Sequence, residues 1–182
     1  MERELRELLD KQAITDVLWR YCRGMDRMDR ELTLSCWHPG GTDDHSPLFK
    51  GTARGFLDWL WPIHAAMTAT RHFVSNMTIE LNGDRAATES YWYVHLRVPR
   101  DGDVYDIVGD GRYLDRFEKI DGVWAIRHRT SISCMTRITK QDPALAALDP
   151  PLILPNNPES KPARWSRDTN DFSYELFAGV RH

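Results

Sequence analysis

Hydrophobic positions near the start of the chain recur three or four residues apart. Leu5, Leu8, Leu9, Ile14, Val17, Leu18, Tyr21 and Met25 follow the repeat of one helical face, with Glu, Lys, Arg and Asp between them, so an amphipathic helix is predicted from residue 3 to about 25. The segment MDRMDRELTLSCWHP predicts a short break and a second short helix, with Asp29 as its N-cap and Pro39 just past its end. Gly40, Gly41 and Pro47 predict irregular chain, with room for one short strand around Leu48 and Phe49. Thr52 is placed to cap a third helix running to about Met67, whose apolar positions are Phe56, Leu57, Trp59, Leu60 and Ile63. Pro62 inside that span predicts a kink or an early stop near Trp61.

After Thr70 the period changes to two. RHFVSNMTIEL alternates and ends at Asn82-Gly83, a two-residue hairpin signal. A second strand is predicted from Ala86 to about Val98, a third through DVYDIVGDGRYLDRFEKI, and a fourth through VWAIRHRTSISCMTRI after the Asp121-Gly122 turn. Gly109 and Gly111 inside the third predict a bulge or bend where the sheet curls. Helices grouped before strands give an α+β architecture, three helices packed on a curled antiparallel or mixed sheet. From about residue 141 the pattern is lost. Pro143, Pro150, Pro151, Pro155, Pro158 and Pro162 interrupt a stretch that still carries Leu148, Leu152, Ile153, Leu154 and Trp165. Residues 1–140 are therefore read as the domain, and 141–182 as an extended arm packing on it or on a neighbouring subunit.

Composition narrows the function classes. The 182 residues hold 24 basic and 27 acidic side chains, a net charge of -3 without a clustered basic face, so no nucleic-acid partner is predicted. No apolar run is long enough for a membrane span. Cys22, Cys36 and Cys134 lie too far apart for a disulfide framework or a zinc pattern. Free thiols and an N-terminus without a leader pattern predict a cytoplasmic protein.

Three places could carry chemistry: Tyr21 with Asp26, His72 with Asn76, and Arg127-His128-Arg129 with Arg137 beyond. A carboxylate beside an imidazole fixes its tautomer, and a nearby phenol or guanidinium stabilises developing negative charge. Each residue also has a structural reading. Asp26 can cap a helix or sit in solvent, His72 can be a bonded surface histidine, and Tyr21 lies on the apolar stripe of the first helix. Tyr21 and Asp26 are splayed by roughly 140° on a helix, so sharing a pocket would need the helix to end or turn between them, at Gly24. His38 and His45 fall in the presumed loop, and the spacing of His45 after Asp43-Asp44 matches no zinc pattern. His95 and His128 read as surface or network residues, and Trp92, Tyr93, Tyr113 and Trp124 as sheet core with one or two facing a cavity.

The strings LLDKQAITDVLWRYCRGMD, WHPGGTDDHSPLFKG, RHFVSNMTIELNGDRAATESYW and GRYLDRFEKIDGVWAIRHR resemble the SnoaL-like domain of the NTF2-like superfamily. Within it the chain is most similar to the group of bile-acid 7α-dehydratase, hexachlorocyclohexane dehydrochlorinase and scytalone dehydratase. The resemblance implies a curved sheet over helices, a buried pocket and an Asp–His base. It puts the aspartate on Asp26, the histidine on His72 and the pocket tyrosine on Tyr21. An assisting arginine falls on Arg129 or Arg137, and Asn76, Trp92 and Tyr113 become candidate substrate contacts. The expected activity is a lyase that eliminates water from an apolar cyclic molecule with no cofactor and no metal. An isomerase or cyclase with the same base, or a binding or accessory subunit of the ring-hydroxylating dioxygenase type, are the alternatives. A homo-oligomer, by resemblance a trimer, is expected.

Overall fold

The structure, a computed structural model, describes residues 1–142 and 166–180. Three helices precede the main sheet: α1 (Glu2–Asp26), α2 (Arg30–Leu34) and α3 (Ala53–Ala65), with β1 (Trp37–His45) and β2 (Phe49–Thr52) between the second and third. Four long strands follow, β3 (Ala69–Asn82), β4 (Arg85–Arg100), β5 (Asp103–Ile120) and β6 (Val123–Lys140), and a short helix α4 (Phe172–Ala178) closes the described chain. The strands form one sheet in the order β2-β1-β6-β5-β4-β3. All neighbours are antiparallel except β1 and β6, which run parallel. This is the α+β cone of helices on a curved mixed sheet that the pattern implied.

The first helix departs from its predicted stripe. Ile14, Val17, Leu18, Tyr21, Cys22 and Met25 are buried, whereas Leu5, Leu8 and Leu9 stay exposed. At 25 residues α1 is about 37 Å long, and it lies on the sheet from Asp10 onward. Asp10 pins it there, accepting hydrogen bonds from Lys119 Nζ and Trp124 Nε1, both at 2.8 Å. Gly24 allows α2 to close on α1, since a Cβ there would stand 2.3 Å from Thr33 Oγ1. The Asp29 cap is present, its carboxylate accepting from Leu32 N at 3.0 Å. Thr52 likewise caps α3 through Gly55 N. The predicted early stop at Pro62 does not occur: α3 runs through it to Ala65. Proline has no N–H for the carbonyl four residues back and its ring crowds that carbonyl, a cost the helix carries three residues before its end.

The larger correction is β1. Its glycines and proline read as irregular chain, yet Thr42, Asp43 and Asp44 pair with His128, Arg129 and Thr130. The register slips between Trp37 and Thr42, so Pro39, Gly40 and Gly41 are taken up in an irregularity while the strand continues on both sides. Further along the sheet, Gly111 marks the predicted bend. The β5–β6 register shifts between Asp110 and Gly111, and a Cβ on Gly111 would lie 2.0 Å from Ile132 O and 2.6 Å from the Trp92 ring. Gly111→Ala is expected to lower the stability by about 1–3 kcal/mol through overpacking. Urea denaturation of the variant measures it, and an unchanged midpoint would remove this account of the bend.

Residues 166–180 dock on the helices. Tyr174 Oη donates to Asp29 Oδ2 at 2.7 Å, Arg23 Nη1 to Ser173 Oγ at 3.1 Å, and Arg27 Nε lies 3.3 Å from Asp171 Oδ1. Arg167 donates to the carbonyls of His64 and Met67 around the end of α3, the first of which also accepts from Met67 N. Where an extended arm was expected, α4 is helical. The expectation for 143–165 lies outside the described residues.

Candidate functional site

One transverse row of the sheet runs Asp43, Arg129, Asp115, Thr88 and Ile79 from β1 to β3. Tyr113, two residues before Asp115, shares its face, as do Ser90 and Trp92 on β4 by the same alternation. The second half of α1 packs over this face and brings Tyr21 and Asp26 to it.

Asp26 is the last residue of α1, a position where the helix dipole disfavours a carboxylate. Its two oxygens are both engaged by His72 on β3. Oδ1 lies 2.6 Å from the ring Nδ1, and Oδ2 accepts the His72 backbone N–H at 2.9 Å. The side chains are only 8% (His72) and 16% (Asp26) exposed. A carboxylate can only accept, so the Nδ1 proton points at Asp26, and Nε2 carries the lone pair of a base. Tyr21 stands edge-on to His72 at 6.5 Å and to Tyr113 at 5.9 Å. The helix neither ends nor turns between Tyr21 and Asp26, contrary to the predicted condition for a shared site. The two are joined instead through His72, which touches both.

Arg129 has 0% side-chain exposure, as does Asp115, and the two form a bidentate pair with both contacts at 2.8 Å. The guanidinium carbon lies 3.9 Å from the Tyr113 ring centre and 4.4 Å from that of Tyr21. Burial works against its charge, but the Asp115 carboxylate more than offsets this and holds its pKa well above the ordinary value. Burial first, then Tyr113, pushes the Tyr21 phenol well above its usual range. The pair thus presents a fixed cation beside a phenol that keeps its proton. Arg129 Nη1 has no hydrogen-bond partner among the described residues.

Two candidates lie elsewhere. Arg137 is exposed, as is every residue of β6 from Ser133 to Lys140, and the bulge that skips from Ser133 to Met135 pairs it with Val108. Asn76 is exposed at the β3 bulge with φ 46°, a left-handed position that asparagine tolerates. Trp92 and Tyr113 are buried against each other at 5.9 Å, and Tyr113 belongs to the cluster. Cys22 and Cys36 are held as thiols, their pKa pushed up to about 12 by burial, and are not nucleophiles. Among the described residues no group of three or more His, Cys, Asp or Glu could hold a metal ion, and no helix is long and apolar enough to cross a membrane. A groove of about 830 Å³, lined by residues such as Glu80, Arg116, Glu118 and His128, includes no member of the cluster.

Two residues escaped the sequence. His45, placed in a presumed loop, sits on β1 with its Nδ1 against Asp43 Oδ1. His64, an unremarked residue of α3, is buried and stacks on His72 with ring centres 5.7 Å apart. The spacing Asp-x-His would have marked His45 once a strand was assigned. Nothing in the local sequence marks His64. Burial, helped by the His72 ring and Arg167, lowers the His64 pKa to about 3. In the unfolded chain an imidazole takes a proton near pH 6.5. Below that pH the unfolded state binds a proton that the folded state refuses. This contribution to stability is therefore intact above about pH 6.5 and is lost as the pH falls toward 3. His64→Phe, which keeps an aromatic ring against His72, is expected to lose less stability between pH 7.5 and pH 5 than the parent chain. Equal losses in urea midpoint would refute this.

Comparison with known proteins places the chain among relatives. A family model described as the SnoaL-like domain matches residues 6–130. A hexachlorocyclohexane dehydrochlorinase (LinA, type 2) is similar at 19% identity with a TM-score of 0.67, over 77% of this chain and 94% of that one. A provisionally assigned scytalone dehydratase from Novosphingobium aromaticivorans is similar at 22% identity and a TM-score of 0.65, over 72% and 88%. Rv3472(D26N), of unknown function, from Mycobacterium tuberculosis, is similar at 25% identity and a TM-score of 0.61, over 71% and 74%.

Proposed function

The chain belongs to the SnoaL-like domain family, and from that premise we propose that it is a cofactor-independent lyase of the dehydratase kind. Its substrate is an apolar cyclic small molecule, steroid-like, aromatic or polyketide-derived. The observation that carries this reading is the 2.6 Å contact between Asp26 and His72, largely shielded from solvent. Two of the relatives are named for eliminations, of water and of hydrogen chloride.

The chemistry follows from the geometry. His72 Nε2 takes a proton from a carbon next to the one bearing the leaving group, and Asp26 stabilises the imidazolium that forms. Negative charge that develops on the substrate oxygen falls to the Tyr21 phenol and the Arg129 cation. Thr88 Oγ1, Ser90 Oγ and Trp92 Nε1 are buried on the same face without a hydrogen-bond partner among the described residues, and they suit the polar groups of a bound ring system. Asp26 Oδ2 also ties α1 to β3 through the His72 backbone N–H, but the ring contact of Oδ1, made against the dipole at the end of α1, favours the lyase over an accessory or purely binding subunit.

The test is product analysis after incubation with a panel of cyclic β-hydroxy ketones, with scytalone and hexachlorocyclohexane included. Loss of one water, or of hydrogen chloride, supports elimination. An unchanged mass with a rearranged product would give the isomerase or cyclase that shares this base. Binding without turnover would leave the accessory role. A trimer is part of the proposal, and exposed Phe73, Tyr91, Tyr93, Met135 and Ile138 supply apolar surface for it. A gel-filtration mass equal to one 21.2 kDa chain would count against it.

A further inference from the structure

A second carboxylate–imidazole pair stands on the opposite side of the two tyrosines. Asp43 is in register with Arg129, and its side chain is fully out of solvent. Residues two apart on a strand share a face, so Asp43 and His45 project to the side of the sheet that carries Arg129. Asp43 Oδ1 meets His45 Nδ1. The His45 ring is stacked on Phe56 at 4.5 Å and stands edge-on to Tyr113 at 6.2 Å. Tyr113 leads to Tyr21 at 5.9 Å, and Tyr21 to His72 at 6.5 Å. The tyrosine pair is thus flanked by an aspartate-held histidine at each end.

A purely electrostatic role for Asp43 fits poorly. Arg129 already takes both oxygens of Asp115. Asp43 Oδ2 and Arg129 Nη1 are both buried without a hydrogen-bond partner among the described residues, so Asp43 does not complete the guanidinium's bonding. What Asp43 does hold is the His45 ring. With Nδ1 committed, His45 can meet a further partner only through Nε2, and no hydrogen bond uses that atom among the described residues.

We infer that His45 is a second catalytic histidine of this site, the acid that protonates the departing oxygen, with Asp43 as its positioning residue. The inference rests on the elimination reading above. As His72 Nε2 removes the proton, the C–H electron pair becomes the new double bond. The C–O bond breaks with its pair on oxygen, and His45, entering the step as the imidazolium with Nδ1–H on Asp43, gives its Nε2 proton to complete a water molecule and is left neutral. His72 then releases one proton to solvent and His45 takes one up, so the cycle closes without any other reactant. A hydroxyl leaving group needs that proton. Chloride departs as an anion and does not.

The experiment compares a cyclic β-hydroxy ketone with its β-chloro counterpart on the full chain. His45→Gln is expected to lower kcat/KM for the hydroxy substrate about 10²–10⁴-fold and to leave the chloro substrate unchanged. His72→Gln should lower both. Asp43→Asn should show the same leaving-group split as His45→Gln to a smaller degree, and it decides the matter if His45→Gln does not fold. A purely structural role would lower both substrates together. Equal losses, or none, in the His45 and Asp43 variants while His72→Gln is impaired would overturn the inference and leave the elimination reading standing. If the parent chain turns over neither substrate, or His72→Gln keeps both activities, the elimination reading falls and the inference with it.

Discussion

His72→Gln is expected to lower kcat/KM about 10²–10⁴-fold, the usual contribution of a positioned base, on whichever panel substrate the parent chain converts. The backbone N–H of residue 72 would still reach Asp26 Oδ2, a contact now 2.9 Å long, so the local fold should survive while the lone pair is lost. Asp26→Asn should fall in the same range for a different reason. An ionised carboxylate accepts from the ring and from the backbone at once. An amide has one accepting oxygen, and its NH₂ would face whichever donor remains. The ring then loses its fixed tautomer and the negative charge that stabilises the imidazolium. Steady-state kinetics, with circular dichroism as the control for folding, measure both variants. A loss smaller than tenfold in each would sink the base assignment.

The largest expected effect on stability is at Asp115. Its carboxylate and the Arg129 guanidinium have no solvent contact. Removing one partner of such a pair leaves an uncompensated buried charge and costs about 3–5 kcal/mol. A domain of this kind has only about 5–15 kcal/mol in total. Asp115→Ala should therefore lose from about a fifth to all of the parent stability, and its urea midpoint should drop in proportion. The double variant Asp115→Leu with Arg129→Met should recover much of the loss, because well-packed apolar residues replace a buried ion pair at little or no cost. It should nevertheless remain inactive, having lost the cation beside Tyr21. Fully additive destabilisation in the double variant would contradict this account.

How much of this was legible in the sequence depended on the strength of the local signals. The third long strand was readable to its ends because a Pro-x-x-Gly turn and an Asp-Gly turn bracket it, and β5 spans Asp103–Ile120. Strand β1 was hidden because Pro39, Gly40 and Gly41 interrupt its alternation, and its pairing with β6 is a contact far along the chain that no local window contains. His45 was lost with it. Arg129 and Arg137 are eight residues apart, an even spacing that puts both on one face of a regular strand. The bulge at Cys134, a property of the β5–β6 register, and the exposure of both faces of β6 from Ser133 on separate them. Asp26 and His72 lie 46 residues apart, and their pairing came from the family resemblance, since neither position is distinctive by itself.

The division of the site between two elements has a mechanical consequence. The acid that orients His72 rides on α1 and the imidazole rides on β3, while the long lever of α1 is tied to the sheet at its far end by Asp10. A small slide of the rod across the sheet would part the 2.6 Å contact while the strands stayed zipped. On gentle heating, function should therefore fade below the melting temperature, as a clutch slips before the gears break.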